Sequence, residues 1–274
     1  MRVKSRCKAD EMAALLLDLG NSRLKGGVWD GHTLTAVQAF PHPATGQAWP
    51  LPTPWRAAAL GGIHLASVAG SGLTQCLQSQ CQHTLGISPR QLKTTPAALG
   101  VRNGYREPQC LGIDRWLAIL AAFQQHGGPL VVADMGSAVT LDLVTPAGQH
   151  LGGSIIPGLA LMARSLTERI SLPIVEDWDQ TYFPGNNTQS GIATGAVEAV
   201  AGLVERATRW LEARYGPAIL VLTGGDAPLV APALAGHPRW IPHLVLEGMG
   251  MLIDVEIPLG SCELSDSQQL AETA

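Results

Sequence analysis

The stretch LLLDLGNSRLK, residues 15–25, carries the signal that decides the fold. An apolar run leads directly into Asp18, a glycine follows two positions later, and Asn21, Ser22 and finally Lys25 come after it. An apolar run that ends at glycine and small polar residues is typical of a buried strand followed by a tight turn. Aspartate often caps such a turn with its own side chain, so a single copy of the pattern has only a structural meaning.

The same pattern occurs again in the second half of the chain. LVVADMGS, residues 130–137, is an apolar run that leads into Asp134, with a glycine two positions later and a hydroxyl residue after it. Two further strand patterns follow each copy, separated by the turn signals Asp-Gly at residues 30–31 and Pro-Ala-Gly at residues 146–148. We therefore predict a three-stranded meander that is present twice, as in an internal duplication.

Alternating strand and helix patterns follow each meander. Helical patterns cover residues 111–125 and 188–215. The apolar run AILVLTGGDA at residues 218–227 is typical of a strand that is buried on both faces of an α/β sheet. The expected fold class is therefore α/β, with two domains and a cleft between them.

We place the boundary between the predicted domains near residues 126–129, where glycine and proline interrupt the pattern. The first domain is predicted to cover residues 12–126 and the second residues 127–260. Residues 1–11 and 261–274 are expected to be tails that belong to neither domain.

Composition and charge exclude several classes of function. The 274 residues have a net charge of −4 and lack the clustered basic surface that nucleic-acid binding requires. No apolar window of about 18 residues is present, so no membrane-spanning segment is expected. The five cysteines are scattered without metal-ligand spacing, which is typical of a reduced cytoplasmic protein.

Two Asp-x-Gly turns that face one cleft predict a phosphate site. Glycine lets backbone N–H groups approach an anion, the side chains of Asn21 and Ser137 add donors, and Lys25 adds positive charge. An aspartate repels phosphate unless a cation lies between them. We therefore expect Asp18 to hold Mg²⁺ that is bound to a nucleotide.

Two further motifs predict the rest of a kinase site. TGGD, residues 223–226, follows a buried strand and suits the adenosine or ribose part of a nucleotide, although a plain strand-to-helix turn has the same pattern. Asp114 and Arg115 open a helix next to Gly112. A kinase that acts on an alcohol requires a carboxylate to accept the hydroxyl proton and a cation to hold the substrate, and these two residues are the candidates. An acid at a helix start also has a purely electrostatic explanation.

Together and in this order, the motifs resemble those of the type III pantothenate kinases, relatives of the acetate and sugar kinases in the heat-shock protein and actin superfamily. The resemblance spans residue 12 to about residue 259. It is carried by DLGNSRLK (18–25), Tyr105 followed by GIDR (112–115), DMGSAVTLD (134–142), GGSIIPG (152–158), GNNT (185–188) and LTGGDA (222–227).

The resemblance implies an enzyme that phosphorylates pantothenate with ATP to give 4′-phosphopantothenate, the first step of coenzyme A synthesis. It implies two duplicated ribonuclease H-like domains of the actin-like ATPase type. It also implies a cytoplasmic homodimer in which the substrate pocket is completed across the interface.

The resemblance also implies roles for individual residues. ATP and its phosphates are expected to be bound by Asp18, Leu19, Gly20, Asn21, Ser22, Arg23, Leu24, Lys25, Gly136, Ser137, Gly224 and Gly225. Pantothenate is expected to be bound by Tyr105, Gly112, Ile113, Asp114, Arg115 and Thr188. Asp114 has the role of proton acceptor, Asp134 that of ligand to a monovalent cation (K⁺ or NH₄⁺), and Asp18 that of Mg²⁺ holder, directly or through water. Ser22 and Ser137 stand where the family usually has threonine.

Two other interpretations stay open from the sequence. One is a kinase of the same superfamily that acts on another small alcohol. The other is a non-catalytic nucleotide-binding accessory or regulatory factor. The presence of both Asp18 and Asp114 favours a catalytic protein, because a degenerate relative usually loses one of these groups.

Overall fold

The computed structural model describes residues 13–43, 47–170, 172–173, 175, 178 and 183–256. The predicted tails, residues 1–11 and 261–274, lie outside these ranges, as do the two predicted domain ends at residue 12 and residue 260. The secondary structure given below refers to the described ranges.

Strands and helices alternate within each half of the chain. The strands are β1 (Ala13–Leu19), β2 (Arg23–Trp29), β3 (Leu34–Pro41), β4 (Leu60–Ser67), β5 (Arg90–Gln91), β6 (Ala97–Ala98), β7 (Val101–Arg102), β8 (Leu130–Met135), β9 (Ala138–Val144), β10 (His150–Pro157), β11 (Ile219–Thr223) and β12 (Arg239–Trp240). The α-helices are α1 (Thr53–Ala57), α2 (Ser71–Leu85), α3 (Ile113–His126), α4 (Leu159–Ile170), α5 (Thr188–Tyr215), α6 (Ala227–Val230) and α7 (Leu244–Glu256). Both helices expected at residues 111–125 and 188–215 are present.

Two five-stranded mixed sheets organise the molecule. The first has the strand order β3-β2-β1-β4-β5 and the second has the order β10-β9-β8-β11-β12. In each sheet the first three strands form an antiparallel meander, whereas the fourth and fifth strands pair in parallel. The predicted α/β class and both predicted meanders are confirmed.

Successive side chains of β1 point alternately into two different hydrophobic cores, so its apolar run is buried on both faces. Ala14 and Leu16 belong to a central hydrophobic core, whereas Leu15 and Leu17 belong to an outer one. Because successive side chains of a strand point to opposite faces of the sheet, Asp18 lies on the central face.

β8 repeats this arrangement in the second sheet. Leu130 and Val132 belong to the same central core as the inward face of β1, whereas Val131 and Ala133 belong to a separate outer core. By the same alternation, Asp134 lies on the central face of its sheet.

Helices α3 and α7 lie between the two sheets and fill the central core. They pack so closely that a β-carbon at Gly248 of α7 would collide with the main chain of Leu117 in α3. Although α7 comes from the C-terminal half of the chain, it contacts the first sheet, where Trp29 donates its indole N–H to the carboxylate of Asp254 at 3.1 Å.

Other helices cover the outer faces of the two sheets. Leu77 and Cys81 of α2 pack with Trp49 and Trp55 on the first sheet, and α5 packs on the second. The molecule is therefore layered, with a sheet on each side of the α3–α7 pair. Among the described residues, no helix combines the length and the apolar character that crossing a membrane requires.

Candidate active site

The two Asp-x-Gly turns meet at the surface. The first turn joins β1 to β2, and the N–H of Gly20 donates a hydrogen bond across it at 3.0 Å. The second turn joins β8 to β9, and the N–H of Gly136 donates across it at 3.1 Å. The hydroxyl oxygens of Ser22 and Ser137, one from each turn, lie 2.6 Å apart. The fold therefore brings the two predicted phosphate turns face to face.

Packing does not require glycine in either turn. A β-carbon would lie 3.6 Å from its nearest neighbour at Gly20 and 3.7 Å at Gly136, which is ordinary contact. The open backbone at these positions is available to a ligand. Gly158, the last residue of GGSIIPG, has a different role, because its N–H donates to the carbonyl oxygen of Ser137 at 3.1 Å and a β-carbon there would collide with the second turn.

The TGGD motif lies against the second turn. The N–H of Asp226 donates to the carbonyl oxygen of Met135 at 3.0 Å. Gly224 has a φ of +89°, and a β-carbon there would collide with the main chain of Met135, whereas Gly225 is exposed with open space around it. Burial raises the pKa of Asp226, and the charge of Arg23 in the first turn opposes this shift. The two Asp-x-Gly turns and the TGGD motif therefore lie next to one another.

Four charged residues, Asp18, Lys25, Asp114 and Asp134, lie close enough for their charges to interact, and we call them the acidic cluster. Asp18 and Lys25 are direct partners across the β1–β2 hairpin. The Nζ atom of Lys25 also donates to the carbonyl oxygen of Pro242 at 3.3 Å. The cluster thus combines three carboxylates with one ammonium group.

Burial is the main reason why the pKa values of these acids are raised. The pKa of Asp18 rises to about 7, first because its carboxyl group is desolvated and then because Asp114 and Asp134 carry like charge. The pKa of Asp134 rises to about 6 through desolvation and the charge of Asp114. Lys25 lowers both pKa values but does not cancel these effects. The acidic cluster therefore holds negative charge that the chain compensates incompletely.

Asp114 lies in the first turn of α3, two residues after Gly112 at the N-cap position. Its Oδ1 atom accepts the N–H of Arg115 at 2.8 Å. A β-carbon at residue 112 would lie 2.6 Å from this oxygen, so glycine allows the carboxylate to fold over the helix start. Burial raises the pKa of Asp114, and the N–H and charge of Arg115 oppose the shift.

Arg115 is held in a buried network of four residues, which we call the arginine network. Its Nε and Nη2 atoms donate to the two oxygens of Asp142 at 2.9 and 2.7 Å, and the two residues are only 6% and 2% exposed. Its Nη1 atom donates to the hydroxyl oxygen of Tyr105 at 2.7 Å. His150 completes the network, with Nε2 placed 2.8 Å from Asp142 Oδ1 and its ring stacked on that of Tyr105.

Sequence reasoning did not find the whole network. It named residue 142 only as the end of the motif DMGSAVTLD and assigned no role to His150. The pairing of β10 with β9 shifts its register between His150 and Gly152. This shift brings the histidine ring to a carboxylate eight residues earlier in the chain, and no local pattern signals it.

Comparison with known proteins identifies the family. A family model described as type III pantothenate kinase matches residues 14–209. The type III pantothenate kinase of Alkalilimnicola ehrlichii is 37% identical over 248 residues, which cover 87% of this chain and 96% of the relative. The chain belongs to the type III pantothenate kinase family. The member from Chromobacterium violaceum is also 37% identical, over 240 residues that cover 86% of this chain and 97% of that relative.

A solved structure shares the fold. It is named as a conserved Baf family transcriptional activator from Campylobacter jejuni and has a TM-score of 0.54. The alignment covers 88% of this chain and 98% of that chain, at 22% sequence identity. At this identity the likeness concerns the fold alone.

Several residues that the pantothenate kinase resemblance singles out have side chains that point away from the converging motifs. The side chains of Leu19 and Leu24 are buried in the outer core of the first sheet, and that of Ile113 is buried in the central core. Only their main chains can therefore face a ligand. Thr188 is exposed at the first turn of α5, a helix that packs on the opposite face of the second sheet from Asp134.

The acidic cluster does not form a complete protein cage for a metal. Within the described ranges, no three or more His, Cys, Asp or Glu side chains are arranged to hold a metal ion. Mg²⁺ commonly takes only one or two carboxylates, and water and substrate phosphates supply the other oxygen ligands. The carboxylates at the turns therefore fit a cation that arrives with a nucleotide.

Proposed function

We propose that this chain transfers the γ-phosphoryl group of ATP to the primary hydroxyl group of pantothenate, giving 4′-phosphopantothenate and ADP in the first step of coenzyme A synthesis. Membership of the type III pantothenate kinase family supports this reaction. The observation that carries the proposal is the contact of the two glycine turns at Ser22 and Ser137, next to an acidic cluster that contains Asp114.

The nucleotide is proposed to lie across the three converging motifs. The backbone of residues 18–25 and the backbone of Gly136 and Ser137 would surround the phosphates, because both turns leave room for a ligand to approach the main chain at Gly20 and Gly136. The exposed Gly225 and its neighbour Gly224 would lie beneath the adenosine part of ATP.

The acidic cluster is proposed to bind two cations. Asp18 would hold Mg²⁺, directly or through water, and Asp134 would be a ligand of a monovalent cation, K⁺ or NH₄⁺. Carboxylate oxygens suit these hard cations, and the raised pKa values of both residues indicate that added positive charge is favourable there. When bound, such cations neutralise charge on the phosphates.

Asp114 is proposed to accept the proton of the pantothenate hydroxyl group. As the hydroxyl oxygen forms its bond to the γ-phosphorus, the bond from that phosphorus to the β–γ bridging oxygen breaks and ADP leaves. The proton passes to the carboxylate of Asp114, whose raised pKa makes it a stronger base than a free aspartate. Tyr105 and Arg115, with the backbone of Gly112 and Ile113, would hold the negatively charged acceptor.

The two halves of the chain are proposed to be duplicated ribonuclease H-like domains of the actin-like ATPase type, divided near residues 126–127. The equal strand order of the two sheets supports this duplication. So does the equivalent position of Asp18 and Asp134, each on the central face near the end of the third strand from the sheet edge.

The chain is proposed to form a homodimer whose interface completes the pantothenate pocket and includes Thr188. β10 is the edge strand of the second sheet, and large apolar side chains are exposed on it and on α4, which follows it. Leu151 and Ile155 form the exposed apolar surface of β10, and Leu166 and Ile170 lie one turn apart on α4. Ile155 pairs with Thr140, two residues from Asp142, so the surface adjoins the arginine network.

The cytoplasm is the proposed location. Cys76, Cys81 and Cys110, the cysteines within the described ranges, are free thiols. Free thiols on the surface suit a reducing compartment.

A coupled assay tests the proposed reaction. Purified protein is incubated with Mg-ATP and pantothenate, with and without K⁺, and ADP release is followed. We expect ADP only when pantothenate is present. Pantothenate-independent ATP binding without ADP release in either salt would refute the proposal and favour a nucleotide-binding accessory factor. ADP release with another small alcohol but not with pantothenate would assign a different acceptor.

A further inference from the structure

His150 contacts three residues around the proposed acceptor site, Asp142, Tyr105 and Gly104. It is fully buried, at 0% exposure. Its Nε2 atom lies 2.8 Å from Asp142 Oδ1, and its Nδ1 atom lies 3.3 Å from the backbone nitrogen of Gly104. Its ring is stacked on Tyr105 at a centroid distance of 6.0 Å and an interplanar angle of 17°.

These contacts define the tautomer of His150. The backbone N–H of Gly104 is a donor, so Nδ1 must be the acceptor and carries no proton. The ring proton is therefore on Nε2, which donates to Asp142. With this arrangement both ring nitrogens have hydrogen-bond partners beside the Arg115–Asp142 ion pair.

The contacts also add a second connection between two segments that the bond from Arg115 Nη1 to the Tyr105 hydroxyl oxygen already joins. Gly104 and Tyr105 lie in the loop before α3, and the N–H of Tyr105 is held by the side chain of Asn103 at 3.0 Å. Arg115 lies on α3 itself. His150 binds the loop through Gly104 and binds the counter-ion of Arg115 through Asp142, so it fixes the loop relative to the guanidinium group.

We propose that His150 is a positioning residue for the acceptor, and that it sets the geometry in which Tyr105 and Arg115 meet pantothenate. This inference rests on the proposed function. His150 contacts the ring of Tyr105 and the carboxylate of Asp142 that pairs with Arg115, so it acts through Tyr105 and Arg115. Removing it leaves a buried carboxylate oxygen with one donor fewer and releases the Tyr105 ring. Acceptor binding is therefore weakened, whereas the nucleotide turns are untouched.

Two substitutions separate the hydrogen bonds from the shape of the side chain. His150→Phe keeps a flat ring against Tyr105 but removes both hydrogen bonds. His150→Gln keeps a donor and an acceptor on one amide group. His64→Phe is the matched control, because His64 is also buried, at 7% exposure, but lies on β4 beside Leu16 in the first sheet. If His150→Phe does not fold, His150→Met, with a more adaptable side chain, takes its place.

The measurements are KM for pantothenate, KM for ATP, kcat and the melting temperature of each variant. Loss of the partners that orient a binding residue commonly costs about 10- to 100-fold. We expect His150→Phe to raise KM for pantothenate by at least about tenfold, with KM for ATP unchanged. His150→Gln should recover most of this loss, and His64→Phe should leave both KM values unchanged.

The results distinguish this inference from the proposed function. If wild-type protein turns over pantothenate and His150→Phe has the same KM for it, the positioning role is overturned while the proposed function stands. Equal increases in KM for ATP and for pantothenate, or no recovery with glutamine, would indicate a general structural role and also overturn it. Wild-type protein that releases no ADP with pantothenate would overturn both.

Discussion

At the scale of single residues, the three carboxylates of the acidic cluster have different surroundings and therefore different expected roles. Asp18 and Asp134 end strands beside the glycine turns. Asp114 begins a helix and is bonded to the N–H of Arg115. The first two are positioned to act on the nucleotide side, and the third is positioned next to the arginine network on the acceptor side.

Asp114→Asn should fold normally and lose most of its turnover. The amide oxygen can still accept the N–H of Arg115, so the helix start is preserved. The amide cannot accept a proton, and loss of a general base commonly costs about 10²–10⁴-fold in rate. Steady-state kinetics and circular dichroism measure the two properties. Glu212→Gln, which makes the same change of group on α5, is the control. Turnover within a few-fold of wild type would make Asp114 a helix cap only.

Asp18→Asn should stabilise the protein in the absence of nucleotide and cations, and more so at pH 8 than at pH 5. The pKa of Asp18 rises from its ordinary value of 3.8 to about 7 in the folded protein. The folded state therefore binds more protons than the unfolded state between these values, and stability falls as the pH rises through this window. Each unit of pKa shift corresponds to about 1.4 kcal/mol, so we expect a gain of about 1–3 kcal/mol at pH 8.

Thermal unfolding at both pH values checks this prediction, since 1 kcal/mol corresponds to roughly 2–4 °C in a protein of this size. Asp30→Asn is the control, because the pKa of Asp30 is shifted in the opposite direction from that of Asp18. Hydrogen bonds from Thr33 and His32 lower the pKa of Asp30 to about 2, so its removal should not stabilise the protein. An unchanged or lower melting temperature for Asp18→Asn at pH 8 would show that the carboxylate is already compensated.

At the scale of secondary structure elements, the turn after β11 contains two adjacent glycines. The fold requires glycine at Gly224 but not at Gly225. Gly224 has a φ of +89° and has no room for a β-carbon next to Met135. Gly225 has no atom within 4 Å of the position of a β-carbon. The two neighbouring glycines therefore offer a matched pair of alanine substitutions.

Gly224→Ala should destabilise the protein by about 2–4 kcal/mol, because backbone strain adds to a steric collision. Gly225→Ala should change stability by no more than about 0.5 kcal/mol. If the nucleotide lies against this turn, Gly225→Ala should nevertheless raise KM for ATP. Chemical denaturation and ATP kinetics on both variants test this. Equal destabilisation by the two substitutions would contradict the structural assignment, and an unaltered KM for ATP in Gly225→Ala would contradict the nucleotide assignment.

At the scale of the whole molecule, the contact of the two turns predicts that the sheets can be crosslinked at the site. The Oγ atoms of Ser22 and Ser137 are 2.6 Å apart, and a disulfide bond is about 2.0 Å long. Ser22→Cys and Ser137→Cys are combined in a chain whose exposed Cys76 and Cys110 are replaced by serine. Oxidation should abolish turnover and reduction should restore it, because the proposed function places the ATP phosphates between the two turns.

Mass spectrometry confirms the crosslink, and each single cysteine variant, oxidised in the same way, serves as a control. The single variants should keep their activity in both redox states. An oxidised double variant that is fully crosslinked and still turns over at the rate of the reduced form would show that phosphate does not pass between the turns.

The apolar side chains exposed on β10 and α4 predict where two copies of the chain meet in the proposed homodimer. Ile155→Asp places a charge on a side chain that is 61% exposed, in the surface proposed to bind a second copy. We expect a monomer by light scattering and a loss of pantothenate turnover. Trp240→Asp, at the opposite edge of the same sheet and 55% exposed, should leave the dimer intact. A dimer that persists in Ile155→Asp would place the interface elsewhere.

The sequence by itself determined the parts of this protein that depend on local order. The apolar runs before Asp18 and Asp134 predict two meanders, and both are present. The pattern of residues 188–215 predicts one long helix or two, and the structure has one. Periodicity and turn chemistry act between neighbouring residues, so a single chain is enough to read them. The same reasoning indicated both phosphate turns and the aspartate at the start of α3.

Only the tertiary structure decided how these parts meet. It brought Asp142 to Arg115 and His150 to Asp142, carried α7 from the C-terminal half to the first sheet, and buried the side chains of Leu19 and Leu24 in the core, which leaves their main chains to face a ligand. Contacts of this kind depend on strand register and on how closely the helices pack. The pKa values of the acidic cluster depend in addition on burial and on charges from other segments of the chain, and these charges come close together only once the two sheets enclose α3 and α7.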